Sequence, residues 1–173
     1  MASGLISLRS KEGVGMFISR DAANMSGLLK DEIENLSDAE IDAITWDLTE
    51  IDADTLEKVV LWCEDHCQNA ELRSLLNDTT PLLWPSKPEI VCAFQRLFSD
   101  ELQLFKTFRA GSFMKIEPIH DMALRTIIDE IKEKDVDQKR AYFGVVTGED
   151  SSEDQELRRD MFNLFRTSWW SWM

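Results

Sequence analysis

Leu5 to Leu8 alternate apolar and polar side chains, the period of a half-buried strand, and Lys11-Glu12-Gly13 follows as a turn signal. Gly15 to Ser19 is a second strand, so the chain is expected to open as a β-hairpin. Arg20 to Asn35 reads as helical: Ala22, Ala23 and Met25, then Ser26 as an N-cap, then Leu28, Leu29 and Ile33. Leu36 to Ile41 is acidic and polar, a loop or a single turn. Ala43 to Leu48 alternates again and places Ile44, Trp46 and Leu48 on one side of a third strand.

After this point the period changes to that of helices. Asp52 or Asp54 caps a helix running to about Gln68, in which Leu56, Val59, Val60, Cys63 and Cys67 form one buried stripe. Residues Gln68 to Lys87 read as a loop, with Leu75, Leu76, Leu82, Leu83 and Trp84 available to dock it. Glu89 to Leu97 is helical, opened by Pro88, and Ser99 caps a further helix over Asp100 to Arg109. The small pair Ala110-Gly111 leads to Phe113, Met114 and Ile116, and then to a helix striped by Leu124, Ile127, Ile128 and Ile131. A last helix is capped by Ser151-Ser152 and striped by Leu157, Met161, Leu164 and Phe165. Strands first and helices after is an α+β order.

The 173 residues suit one compact domain, or one domain with a helical extension. Acidic residues outnumber basic ones 33 to 19, a formal charge of −14 that repels nucleic acid and anionic membranes and favours basic protein partners. Three cysteines and an N-terminus without an apolar leader run lead us to expect free thiols in a reducing compartment, cytoplasmic and/or nuclear. Cys63, His66 and Cys67 have a spacing that could place metal ligands on one helix face, but both thiols also complete the buried stripe. His120, the other histidine, is tied to no nucleophile or acid by any motif, and there is no phosphate loop or nucleophile elbow. No enzyme, catalytic residue, metal or cofactor is expected.

Four segments together resemble one family. LISLRSKEG (from Leu5), FISRDAANMSGLLKDEI (from Phe17) and ITWDLTEIDADTLEKVVLWCEDH (from Ile44, with Trp62, Cys63 and His66) appear in the order found in Skp1 and elongin C. The run LFKTFRAGSFMKIEPIHDMALRTIIDEIKEKDVDQKRAYFGV, Leu104 to Val145, is similar to the second half of a Skp1-type protein, and the continuation to Phe165 is similar to that family's two-helix tail. The resemblance implies a BTB/POZ-like α+β fold, three short strands packed on a helical cluster, with a core over 1–131 and a C-terminal helical extension over 132–173.

It also implies a non-catalytic adaptor that bridges an F-box-type substrate receptor to a cullin in an SCF-like ubiquitin ligase. Ser112, Phe113, Met114 and Ile116 would face the cullin. Leu124, Ile127, Ile128, Ile131, Phe143, Leu157, Met161, Phe162 and Phe165 would face the F-box. Where the family carries Asn-Tyr-Leu, this chain carries Ser112-Phe113-Met114, which removes hydrogen-bonding groups worth about 1 kcal/mol each. That departure leaves an alternative: a structural or assembly subunit that binds F-box-like or other helical partners without a cullin, or self-associates through its BTB-type face. The extension is short and has little of its own to bury against, so its apolar residues are expected to seek a partner. Trp169, Trp170 and Trp172 are expected to make a further protein contact.

Overall fold

The computed structural model describes residues 4–69, 88–145 and 152–167. The segment 70–87, which the sequence marks as a docking loop, and the tail with Trp169, Trp170 and Trp172 lie outside the described residues.

Strands β1 (Leu5–Ser10) and β2 (Gly15–Ser19) form the expected antiparallel hairpin, closed by Gly13 at φ +82°, a left-handed conformation that favours glycine. β3 (Thr45–Leu48) pairs in parallel with β1, giving the order β2-β1-β3. A parallel pair needs a long crossover. Here three short helices supply it: α1 (Arg20–Ala23), α2 (Gly27–Ile33) and α3 (Asp38–Ala43). The central strand turns Ile6, Leu8 and Ser10 into the core and Leu5 and Arg9 outward, as a two-residue period requires.

This crossover departs from the sequence reading in three places. The expected helix over Arg20–Asn35 is two helices, because the Ser26 hydroxyl leaves the helical path. It accepts from Leu29 N (3.2 Å) and donates to the Met114 carbonyl (2.6 Å) in a fully buried position. The stretch read as a loop or single turn belongs in part to α3, started by a capping box in which Ser37 N donates to the Glu40 carboxylate at 2.8 Å. Together with the Ser37 hydroxyl, that bond holds the Glu40 carboxyl below its ordinary pKa. Ala43 therefore belongs to α3, and Ile44 ends that helix instead of starting the strand.

Helix α4 (Ala53–His66) is capped by Asp52, which accepts from Thr55 N at 2.9 Å. Its whole predicted stripe, Leu56 to Cys67, is buried, and so is Trp62. After α5 (Pro88–Gln95) comes α6 (Glu101–Phe113). Its cap is Asp100, not Ser99: the Asp100 carboxylate accepts from Gln103 N at 2.9 Å, and that bond lowers its pKa, while Ser99 only donates to Asp100. α6 also runs past the small pair to Phe113, so Ala110 and Gly111 lie inside a helix. Then follow α7 (Glu117–Ile131), α8 (Val136–Tyr142, with a capping box between Asp135 and Gln138) and α9 (Glu153–Thr167). One hydrophobic cluster extends from Ile6 in the sheet to Phe165 in the last helix. The architecture is α+β, as the strand-then-helix order predicts, and BTB/POZ-like, as the resemblance implies.

Ser26→Ala removes both a helix cap and a donor to a buried carbonyl. A loss of about 1–3 kcal/mol is expected, measured as a shift of the urea midpoint with unchanged slope.

Candidate partner-binding surfaces

Two regions carry the residues that the sequence assigns to partners, and α6 and α7 join them. The first is the corner between those helices. Ser112 is exposed and Phe113 half-buried, but Met114 and Ile116 are fully buried. Those two side chains belong to the core, not to the outward surface the resemblance implies for them. The reason lies across the chain: α2 docks its N-terminus on the corner, with Leu28 N donating to Met114 O (3.2 Å) and Gly27 N to Lys115 O (3.1 Å). Lys115 adopts φ 53° so that the backbone can turn between the helices, and it places its ammonium 3.1 Å from Asp31 on α2. The outward chemistry of the corner is therefore Ser112, part of Phe113, and Lys115, a residue the sequence reading did not single out.

The second region is the face of α7 and the elements after it. Ile127 and Ile131 are core residues, Leu124 is half-buried, and Ile128 is 38% exposed. Phe143, Leu157, Met161, Phe162 and Phe165 are all buried within the chain. The expectation that this extension has little to bury against is overturned. α9 packs on α6, and Phe143 lies in the middle, with ring centroids 5.2 Å from Phe105, 5.8 Å from Phe165 and 6.1 Å from Phe162. Burying such side chains is worth about 1.5–3 kcal/mol each, and the chain's own α6 is the nearest apolar surface. Of the nine residues assigned to the F-box face, Leu124 and Ile128 keep exposure. Val136, which opens α8, is 55% exposed as well.

Charged residues bind the second region to the sheet end of the molecule. Lys106 lies 3.6 Å from Asp52 and 3.3 Å from Asp154, Lys11 pairs with Glu153, and Arg109 pairs with Glu50. Burial works against the charge of Lys106, but the Asp52 and Asp154 carboxylates outweigh it and raise its pKa. These residues line a small cavity of about 110 Å³ between the hairpin turn, the start of α4, α6 and α9. No sequence signal points to it, because its walls come from distant parts of the chain.

Cys63, His66 and Cys67 are engaged elsewhere. Cys63 is fully buried, and desolvation pushes its thiol pKa well up. The His66 ring stacks on Trp62 at 4.7 Å, with Nδ1 2.7 Å from the Trp62 carbonyl, and Cys67 donates to the Glu64 carbonyl. Among the described residues, Glu117, His120 and Asp121 bring ligand-type atoms within 4.8 Å. His120 Nδ1 is already 3.0 Å from Asp121, and its ring lies against Phe108 at 4.9 Å. The burial pattern makes a labelling prediction. Iodoacetamide should modify exposed Cys92 in the native protein and reach Cys63 and Cys67 only on unfolding, read by peptide mass spectrometry. Native labelling of Cys63 would contradict its placement.

Comparison with known proteins agrees with this architecture. Residues 4–68 match the model of the Skp1 family, tetramerisation domain. The chain is 26% identical to the protein named E3 ubiquitin ligase complex SCF subunit sconC from Arthroderma benhamiae, over 92% of this chain and 94% of that protein. It is 24% identical to the protein of the same name from Talaromyces stipitatus (91% and 95% covered) and 26% identical to that from Neosartorya fischeri (90% and 94% covered). These alignments include the helices beyond residue 68.

Proposed function

Because this chain is a Skp1-like protein, we propose that it is a non-catalytic adaptor joining an F-box-type receptor to a cullin in an SCF-like ubiquitin ligase. The observation that carries the reading is the join between α6 and α7. Gly111 lets the backbone of His120 approach so closely that a Cβ on Gly111 would lie 2.8 Å from His120 N. The outward corner at Ser112, Phe113 and Lys115 and the exposed Ile128 on α7 are thereby held at a set separation. An adaptor works by that separation: it replaces a chance encounter between substrate and ligase with a positioned one.

The test is a pull-down from cell extract with the full chain, read by mass spectrometry. The unmodified chain should retain F-box proteins and a cullin. Ile128→Asp, which alters an exposed position, should lose F-box proteins by about tenfold or more and keep its fold, since it puts a charge in the contact and not in the core. The Ser112→Asn, Phe113→Tyr pair should strengthen cullin retention by restoring hydrogen-bonding groups. F-box proteins without a cullin would instead favour the assembly-subunit role, and neither would remove the adaptor reading.

A further inference from the structure

Strand β2 lies at the edge of the sheet, and its outer side is open over a short stretch. Ser10 N donates to Val14 O and Arg20 N to Gly4 O. The antiparallel alternation therefore turns the backbone groups of Val14, Met16 and Ile18 toward β1 and those of Gly15, Phe17 and Ser19 away from it. The Glu64 carboxylate on α4 accepts from Ser19 N and from the Ser19 hydroxyl, which closes the edge at that end. Among the described residues, no hydrogen bond takes up the outward N–H and C=O groups of Gly15 and Phe17. An open edge is a template for another strand, and folds commonly cover it or charge it. This stretch carries neither a charge nor a proline. Phe17, 65% exposed, is the most exposed large apolar side chain described, and Leu5 stands diagonally beside it on the same face.

Gly15 points to the same edge. Its φ is not positive, and a Cβ on it would meet nothing closer than the Leu8 carbonyl oxygen at 4.0 Å. Its cross-strand neighbour Arg9 turns the other way, to Asp47 on β3 at 3.2 Å. Neither the conformation nor the packing of its own chain requires a glycine there, yet a glycine weakens a strand. Such a residue commonly marks a place where another backbone comes close, and an aromatic ring laid over it restores the missing packing.

We propose that two copies of this chain pair antiparallel along β2, about a two-fold axis at Met16, so that their three-stranded sheets join edge to edge. That register sets Phe17 opposite Gly15 of the other copy, and Gly15 opposite its Phe17. Each ring covers the other copy's glycine, and each such pair exchanges both backbone hydrogen bonds. One axis thus serves ring and glycine alike. Continued along the chain, the same register brings Lys11 to face Asp21 of the other copy and Glu12 to face Arg20. All four are exposed, each also bonds within its own chain, and each facing pair is opposite in charge. That match offsets locally the repulsion between two chains of net charge −14. The paired stretch is short, so the dimer is weak, with Kd on the order of 100 µM. It uses neither the α6–α7 corner nor Ile128, so it stands or falls apart from the adaptor reading.

Sedimentation equilibrium of the full chain tests the pairing. The unmodified chain should form a reversible dimer, and Phe17→Thr, which keeps strand propensity, should weaken it about tenfold or more. Gly15→Val is the sharper variant. The monomer has room for the side chain, so its urea midpoint should hold or rise, while the filled notch weakens the dimer about tenfold or more. Movement of the two readouts in opposite directions separates a lost interface from a damaged fold. In a Cys92→Ser chain, Met16→Cys should cross-link the dimer on mild oxidation, because the axis brings the two copies of that residue within reach. Arg9→Cys, one strand in from the edge, should not. A chain that stays monomeric to millimolar concentration, a dimer indifferent to Phe17→Thr and Gly15→Val, or one that Met16→Cys does not cross-link would each overturn the pairing. The first of these outcomes would leave the edge to an extended segment of another protein.

Discussion

Phe143→Ala is expected to lower the unfolding free energy by roughly 3–5 kcal/mol, the usual loss for emptying a buried aromatic site. For a chain of this size that corresponds to a fall in Tm of about 6–20 °C. The ring is fully buried, and its neighbours come from three helices: Phe105 on α6, Tyr142 on α8, and Phe162 and Phe165 on α9. A cavity there cannot collapse easily, because each wall is anchored to a different element, and incomplete collapse sets the upper end of the cost. Phe143→Leu keeps most of the volume and should cost about 1–2 kcal/mol. Calorimetry or urea titration decides the matter. A loss below about 1 kcal/mol for Phe143→Ala would mean that α8 and α9 are not packed as described.

Gly111→Ala carries the second large effect, and its sign is the informative part. In an exposed helix interior, Gly→Ala stabilises by up to about 1 kcal/mol through backbone entropy and helix propensity. At this position the new Cβ would lie 2.8 Å from His120 N, 3.1 Å from His120 Cα and 3.0 Å from Ile119 Cγ2. Two of those three atoms are backbone, so no side-chain rotation relieves the overlap and α7 must move as a body. A net destabilisation of about 1–3 kcal/mol is expected, against the propensity gain. Because the α6–α7 join sets the spacing of the two outward surfaces, the same change should weaken simultaneous binding of two partners more than binding of either alone. A stabilised Gly111→Ala protein would show that the helices are not in that close contact.

The legible parts of this fold are those set by local period and local chemistry. The hairpin and the stripe from Leu56 to Cys67 follow from side-chain alternation and a 3.6-residue repeat and lie where the sequence puts them, and of the two carboxylates it offers as a cap, Asp52 and Asp54, the structure uses Asp52. α3 was legible too, because Ser37-Asp38-Ala39-Glu40 is a capping-box pattern, but its acidic, polar character made it resemble a loop. The division of the first helical stretch was half legible. Ser26 stands out as a cap, yet whether a mid-segment serine caps or stays in the helix depends on a carbonyl at Met114, far along the chain.

The candidate surfaces show the same division more sharply. Resemblance located Ser112 to Ile116 and the run from Leu124 to Phe165 as regions that matter, but a list of residues does not say which way each one points. Met114 and Ile116 face inward because α2 bonds the other side of their corner, and Phe143, Leu157, Met161, Phe162 and Phe165 face inward because α9 returns to α6.

By itself, the sequence determined that the chain is acidic, α+β in order and supplied with an amphipathic last helix, since each of these follows from composition or short-range pattern. The tertiary structure alone decided what that last helix covers. An amphipathic stripe states only that a helix must bury one face. Whether it does so against its own chain or a partner is a competition between surfaces brought together by folding, and here Phe108 and Phe143 are part of the surface that α9 finds.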